Sequence, residues 1–303
     1  MASTRDPAGL TAQEGLIRLA GVETRWLELE GEGPPLLLLH GYADSADTWR
    51  PLLERLADRG RAACAIDLTG FGTASELDLG RPLLPQWDEL VAASVGELSE
   101  RNRGSEVFVV GNSLGGCLAL RAAQHPELEV GGIVPIAPAG LHMARWFPII
   151  EGERLIRMLR FAPVPVPEVI VREIVGRVYR TLAFGNPRGA DPTVVSAFAR
   201  HLPSVERTTA VLEVGRRLLP ELESPYDLKR IDCPLLMIWG ERDRMVYTAG
   251  AERVLRAVDY SDIEVIPDCG HCPQVEVPEK LAELLLAFPD SVESTEAEQA
   301  ANG

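Results

Sequence analysis

The sequence contains no apolar run that approaches the roughly 18 residues of a membrane-spanning helix. Its opening stretch, Met1 to Gly9, is polar and lacks the apolar core of a secretory signal. A cytoplasmic location is therefore the expectation. Positive charge is in short supply: 30 Lys and Arg stand against 45 Asp and Glu, a formal net charge of −15. Nucleic acid needs a basic face, so it is not an expected partner. Cysteine is sparse and odd in number, with five residues scattered over predicted strands and helices. That excludes a disulfide framework. Internal repeats are absent too. The closing stretch, Ser291 to Gly303, is small, polar and acidic, and reads as a disordered tail.

What is present is the composition of an ordinary water-exposed globular chain, 46% hydrophobic and 25% charged. At 303 residues it can bury a large core, as one domain with an insertion or as two domains. One stretch organises it, running from Glu106 to Gln124. Val107 to Val110 is β-branched and aromatic and predicts a buried strand. Cys117 to Gln124 is rich in Ala and Leu and predicts a helix. Between them, Gly111-Asn112-Ser113-Leu114-Gly115 matches G-x-S-x-G. A serine on a sharp strand-to-helix turn has a strained backbone, and glycines two before and two after it relieve the crowding. The amides of the following helix then point at the place where negative charge develops in acyl transfer.

The rest of the chain alternates strands and helices. Leu16 to Leu19 and Val22 to Leu29 read as an antiparallel pair. Leu36 to Leu39 is a continuous apolar run, as in a strand buried on both faces, and it ends in His40-Gly41-Tyr42. A helix follows over Thr48 to Ala57, with Asp47 as its expected cap. Strand Arg61 to Asp67 runs into a loop that ends at Gly72, and Gln86 to Arg101 is an amphipathic helix. Gly132 to Ala137, Pro234 to Trp239 and Ile263 to Ile266 complete the strands. Ala249 to Val258 and Pro278 to Ala287 are helical. Such alternation predicts an α/β fold with a mostly parallel, doubly wound sheet. Leu141 to about Tyr226 breaks the rhythm, with helical segments, many prolines and no clear strand. The expected organisation is a core of residues 1–140 and 227–290, a helical lid of 141–226, and a tail of 291–303.

At this point the chain resembles the α/β-hydrolase family. The resemblance rests on His40-Gly41-Tyr42, Asp67 to Gly72, Gly111 to Gly115, Gly240-Glu241-Arg242-Asp243 and Gly270-His271, each after a predicted strand. It covers roughly Val22 to Pro289 apart from the lid. It implies the α/β-hydrolase fold with Ser113 as nucleophile, His271 as base and Asp243 as the acid that orients the histidine. Glu241 and Asp268 are rival acids nearby. The implied oxyanion hole uses the backbone amides of Tyr42 and Leu114. The Tyr42 hydroxyl could also reach the pocket. His40 packs and hydrogen-bonds beside the site, and is a further candidate for the pocket wall. Leu141, Met143, Trp146 and Phe147 are candidates to line an apolar acyl pocket, or equally to form lid core. His125, His142 and His201 are weaker candidates for chemistry, with His125 ending a helix at the surface.

Other features carry rival readings. Asp67 reads as a carboxylate that satisfies loop amides. Cys269-Gly-His-Cys272 resembles a dithiol motif, yet it follows the last strand and has no second ligand pair for zinc. It reads as two thiols flanking a histidine, with a regulatory disulfide as the alternative. Residues 141–190 hold eight arginines against four glutamates, a local +4 in a chain whose remainder carries −19. That is either a solvated face or a field for anionic substrates or an acidic partner. Taken together, the sequence predicts a serine hydrolase acting on a small-molecule carboxylic ester through an acyl-enzyme, with no cofactor and no metal. The alternatives are a carbon–carbon bond hydrolase acting on a vinylogous diketone, a perhydrolase with the same triad, and a non-catalytic ligand receptor. The Gly-Asn-Ser elbow resembles the carbon–carbon branch. Ala43-Asp44-Ser45 replaces the Gly-Pro-Gly character that branch often shows after His-Gly.

Overall fold

A computed structural model of the protein describes residues 12–145, 153, 157 and 166–302. Eight strands form one sheet: β1 Gln13–Leu19, β2 Val22–Leu29, β3 Glu32–Leu39, β4 Arg61–Ile66, β5 Val107–Asn112, β6 Val130–Ile136, β7 Leu235–Gly240 and β8 Ser261–Ile266. Their spatial order is β1-β2-β4-β3-β5-β6-β7-β8. β1 pairs antiparallel with β2, and β2 antiparallel with β4. Every later pairing is parallel. The expected α/β class and mostly parallel sheet are what the chain adopts.

The apolar runs of the central strands are long because the sheet is covered twice. Successive side chains point to opposite faces. Leu37, Leu39, Val109, Met237 and Trp239 join one core, together with helices α2 (Leu83–Arg101) and α3 (Leu114–Ala122). Leu36, Leu38, Phe108, Val110 and Ile238 join the other, with α1 (Arg50–Ala57) and the closing helix. Between β6 and β7 comes the helical insertion. Its described helices are α4 Glu168–Ala183, α5 Pro192–Arg200 and α6 Val205–Glu221. After β7 come α7 Ala251–Leu255, α8 Pro273–Glu276 and α9 Pro278–Asn302.

Some boundaries differ from expectation for physical reasons. Ser45, not Asp47, is the cap: its hydroxyl accepts from the Asp47 amide and opens a 3-10 turn over Ala46–Trp49, which leads into α1. Asp47 is instead drawn into an ion pair with Arg25 at 3.0 Å. Helix α3 starts at Leu114, not Cys117, because Gly115 and Gly116 let its first turn lie on neighbouring backbone. Helix α9 continues to Asn302 through the stretch expected to be a disordered tail, where Glu, Ala and Gln are good helix formers.

The loops after β3 and β4 are tied to Arg25 within β2 by one carboxylate. Asp67 is wholly buried and accepts from the Ala46 amide at 2.7 Å and from the Thr73 amide and hydroxyl at 2.8 and 2.9 Å. Its Oδ1 also meets the Arg25 guanidinium at 3.1 Å. Burial pushes its pKa up, but Arg25 and the loop amides outweigh burial and hold it below the usual carboxylate range. Its stabilising contribution is therefore present above the ordinary carboxylate pKa and lost as pH falls through the lower folded value. Asp67→Ala strips the buried Arg25 of this partner and should lower unfolding free energy by about 3–5 kcal/mol. Denaturant titration checks this, with exposed Asp58→Ala as a reference expected to stay within about 0.5 kcal/mol of the parent chain.

Candidate active site

Ser113, Asp243 and His271 each follow the carboxyl end of a strand, where crevices of open α/β sheets lie. The turn after β5 is sharp and strained. Ser113 has φ 56° and ψ −108°, a conformation that non-glycine residues rarely adopt. It is held there by its amide, which donates to Ile136 O at 2.9 Å, and by its carbonyl, which accepts from Cys117 and Ala139 amides at 2.9 Å. A Cβ on Gly111 would sit 2.1 Å from Gly115 O, and one on Gly115 would sit 2.1 Å from Leu39 O. The motif's glycines are thus required by backbone touching backbone. The loop after β3 presses on the same turn, since a Cβ on Gly41 would come 3.4 Å from Ser113 Cβ.

His271 follows β8 and Asp243 follows β7. Asp243 Oδ1 accepts from the Met245 and Val246 amides at 2.7 and 3.0 Å, which aims Oδ2 at His271 Nδ1, 2.7 Å away. Both side chains are almost fully buried. Because the carboxylate accepts, Nδ1 carries the proton and Nε2 is left as an acceptor. Among the described residues, buried Nε2 has no hydrogen-bond partner. Asn112, the residue before Ser113, donates its amide to His271 O at 2.8 Å. That bond joins the serine turn to the histidine loop. Asn112 Oδ1 also accepts from Gln274 Nε2 at 3.2 Å. Of the candidate acids, Asp243 makes the bond to His271. Glu241 accepts from the Asp268 amide at 3.2 Å, and Asp268 pairs with Arg242 at the surface.

Leu114 opens α3 directly after Ser113, and Tyr42 follows Gly41. The Tyr42 hydroxyl does not enter the pocket as a free group: it donates to Val211 O at 2.6 Å. His40 is no pocket wall either. It is wholly buried, its Nδ1 donates to Gly41 O at 2.7 Å, and its Nε2 accepts from the Leu68 amide at 2.9 Å. Burial holds its pKa down at about 4, so it is a neutral brace between the ends of β3 and β4.

Leu141 and Met143 are partly buried where the insertion begins, and Met143 bridges to Val246 close behind Asp243. Trp146 and Phe147 lie outside the described residues. His125 is at the surface beside Glu127, and His142 meets Tyr247 edge-on. Arg145, Arg172, Arg177, Arg180 and Arg188 are all exposed, and Arg172 pairs with Glu168 at 3.3 Å. Cys269 and Cys272 are free thiols. Cys269 Sγ faces Glu276 at 3.7 Å, while Cys272 Sγ faces Asn112 Oδ1 at 3.8 Å. Burial pushes both thiols well above their ordinary pKa, so neither is a ready thiolate.

A profile of the Alpha/beta hydrolase family matches residues 36–284. The chain belongs to this family. A 2-hydroxy-6-oxo-6-(2'-aminophenyl)hexa-2,4-dienoic acid hydrolase of Metapseudomonas resinovorans is 27% identical over 91% of this chain and 90% of its own length. A pimeloyl-[acyl-carrier protein] methyl ester esterase of Nitrosomonas europaea is 27% identical over 84% of this chain and 95% of its own. Among solved structures, a membrane phospholipase A described as a bacterial virulence factor superposes with a TM-score of 0.72 at 25% identity, covering 95% of this chain and 88% of its own. The relatives of this alpha/beta hydrolase thus include esterases, lipases and carbon–carbon bond hydrolases. Among the described residues, no helix is long and apolar enough to cross a membrane.

Sequence reasoning missed the second layer of this alpha/beta hydrolase site. Asn112 stood inside the motif as its variable position, and Gln274 and Asp44 carried no local signal. Asp44 is buried, accepts from the Ser45 amide at 2.9 Å, and is pushed up to about 7 by burial. Its titration opposes that of His40. From pH 6.5 down to about 4, the unfolded histidine takes a proton that the folded one refuses, so acidification destabilises. Over the same range, folded Asp44 holds a proton that the unfolded carboxylate lacks, so acidification stabilises. Asp44→Asn removes the second effect. Its unfolding free energy should fall on acidification more steeply than the parent's by about 1.4 kcal/mol per pH unit between pH 6.5 and 4.5. Denaturant curves at three pH values test this, and parallel pH profiles for the two proteins would refute it.

Proposed function

We propose that the protein is a serine hydrolase that cleaves a small-molecule carboxylic ester. The observation that carries the reading is His271: Asp243 fixes its Nδ1 side, its buried Nε2 has no partner among the described residues, and its loop is bonded at 2.8 Å to Asn112, the residue before a strained Ser113. In this reading Ser113 Oγ attacks the carbonyl carbon while His271 Nε2 takes its proton. The negative charge that forms on the carbonyl oxygen is met by the amides of Tyr42 and Leu114. The intermediate collapses, and His271 gives the proton to the departing alcohol. Water, deprotonated by the same nitrogen, then releases the acid from the acyl-enzyme. No step calls for a cofactor or metal. An apolar acyl group suits the apolar side chains at the start of the insertion. The five free thiols fit a reducing, cytoplasmic setting.

A second reading is supported by the relative named for hydrolysis of a hexadienoic acid, which matches over most of both chains. The Ala43-Asp44-Ser45 turn, unlike the glycine-rich turn of that branch, favours the ester. A panel of p-nitrophenyl esters of graded chain length, run beside a 2-hydroxy-6-oxo-dienoate, decides between them. Ester turnover is the expected result, and exclusive turnover of the dienoate would replace it. Within the ester assay, Ser113→Ala should lose about a million-fold in kcat while staying folded. Asp243→Asn should lose on the order of 10⁴, because the carboxamide favours the wrong tautomer. Glu241→Gln and Asp268→Asn should stay close to the parent. A folded Ser113→Ala variant that keeps a tenth of the activity would exclude this nucleophile.

A further inference from the structure

The turn that carries Tyr42 is gripped from two sides. From the core, His40 holds its start through Gly41 O at 2.7 Å, and Asp67 holds the Ala46 amide at 2.7 Å. From the insertion, the Tyr42 hydroxyl is bonded to Val211 O in α6 at 2.6 Å. His201, the residue that ends α5, brings Nε2 within 2.9 Å of Ser45 Oγ and 3.4 Å of Asp47 Oδ2. Between these grips lies Ala43 at φ 62°, in the left-handed region where a non-glycine residue stays only under outside constraint. The core bonds pin the two ends of the turn. The bonds from the insertion fall on its middle and its shoulder.

We propose that the Tyr42 hydroxyl and His201 are positioning residues through which the lid aims the Tyr42 amide at the reacting carbonyl oxygen. The proposal rests on the serine-hydrolase reading, which assigns that amide to the oxyanion. An oxyanion donor is effective only within about 2.7–3.1 Å of the charge it stabilises. A misplacement of about 1 Å costs on the order of 10² in rate. Peptide 41–42 lies between a fixed Gly41 and a side chain held by the lid, so a shift of α6 turns that peptide about its pinned end. Lid seating and donor alignment become one event. A lid that only covered the pocket would make contacts whose loss lowers stability or substrate affinity without selectively lowering kcat.

The test uses Tyr42→Phe, which keeps the ring and its edge contact with Phe71, 5.5 Å away, and removes only the hydroxyl. His201→Gln is the second variant. Arg217→Gln is the control, because it breaks another bond between the insertion and the core, from Arg217 to Leu79 O at 2.6 Å, outside this turn. Steady-state hydrolysis of a p-nitrophenyl ester is read together with the affinity of a trifluoromethyl ketone, which forms a tetrahedral oxyanion on the serine. Tyr42→Phe and His201→Gln should each lower kcat about tenfold with KM within about twofold, a fraction of the loss from deleting a whole donor. Ketone affinity should fall by the same factor, and Arg217→Gln should leave all three quantities unchanged. Parental kcat and ketone affinity in both turn variants would overturn the proposal, as would equal losses in Arg217→Gln. If Tyr42→Phe does not fold, His201→Gln decides alone. Failure of the parent enzyme to turn over any ester or to be labelled by a fluorophosphonate would refute the serine-hydrolase reading and the proposal with it. Labelling with normal turnover isolates the fate of the proposal.

Discussion

The site is built on a place where three stretches of backbone meet with no room for side chains. The first turn of α3 lies on the end of β3, so that Gly115 could not carry a Cβ without striking Leu39 O. Gly111 is pressed against the same turn. This contact fixes the angle at which the helix leaves the sheet and puts Ser113 at the crest. The loop after β3 runs close by, near enough that a Cβ on Gly41 would meet Ser113 Cβ at 3.4 Å. The approach needs no favourable side-chain energy of its own. It is sustained by the double layer of Leu, Val and Ile on either face of the central strands, which holds the strand ends in register.

Loops carry the functional groups, and loops alone would not hold them to fractions of an ångström. The chain solves this with buried polar side chains that bond to backbone. Asp67 gathers the loop after β4 and the turn before α1. Asp243 spends one oxygen on two amides so that the other faces His271. Asn112 ties the serine turn to the histidine loop, and His40 ties the ends of β3 and β4. Each is a short polar side chain with its partners already in place, so none must be reorganised when charge appears nearby.

The parts of this design that are local were legible in the sequence. Ser113 announced itself through glycines at fixed offsets and a strand and helix on either side. The parallel sheet followed from apolar runs that alternated with helical segments, and Asp243 was singled out by the family resemblance of the Gly240 to Asp243 stretch after a predicted strand. What stayed hidden depends on pairings distant in sequence. Gln274 meets Asn112 across 162 positions, and Tyr42 meets Val211 across 169. No periodicity or spacing encodes such partners, because they exist only once the sheet has brought strand ends together. The partners of His40, Gly41 O and the Leu68 amide, stayed hidden for the same reason: they are a property of the assembled loops. The cap at Asp47 was misplaced because Arg25, on another strand, competes for that carboxylate.

The strained backbone at Ser113 has a consequence for the protein as a material. A Cβ-bearing residue held at φ 56° and ψ −108° raises the energy of the folded state by about 1–3 kcal/mol, and glycine would adopt the same angles freely. Glycine at position 113 would relieve that strain but would also give the unfolded chain more freedom, which costs the fold about 0.5–1 kcal/mol. Position 113 thus stores energy in the folded state that the bonds to Ile136, Cys117 and Ala139 must outweigh.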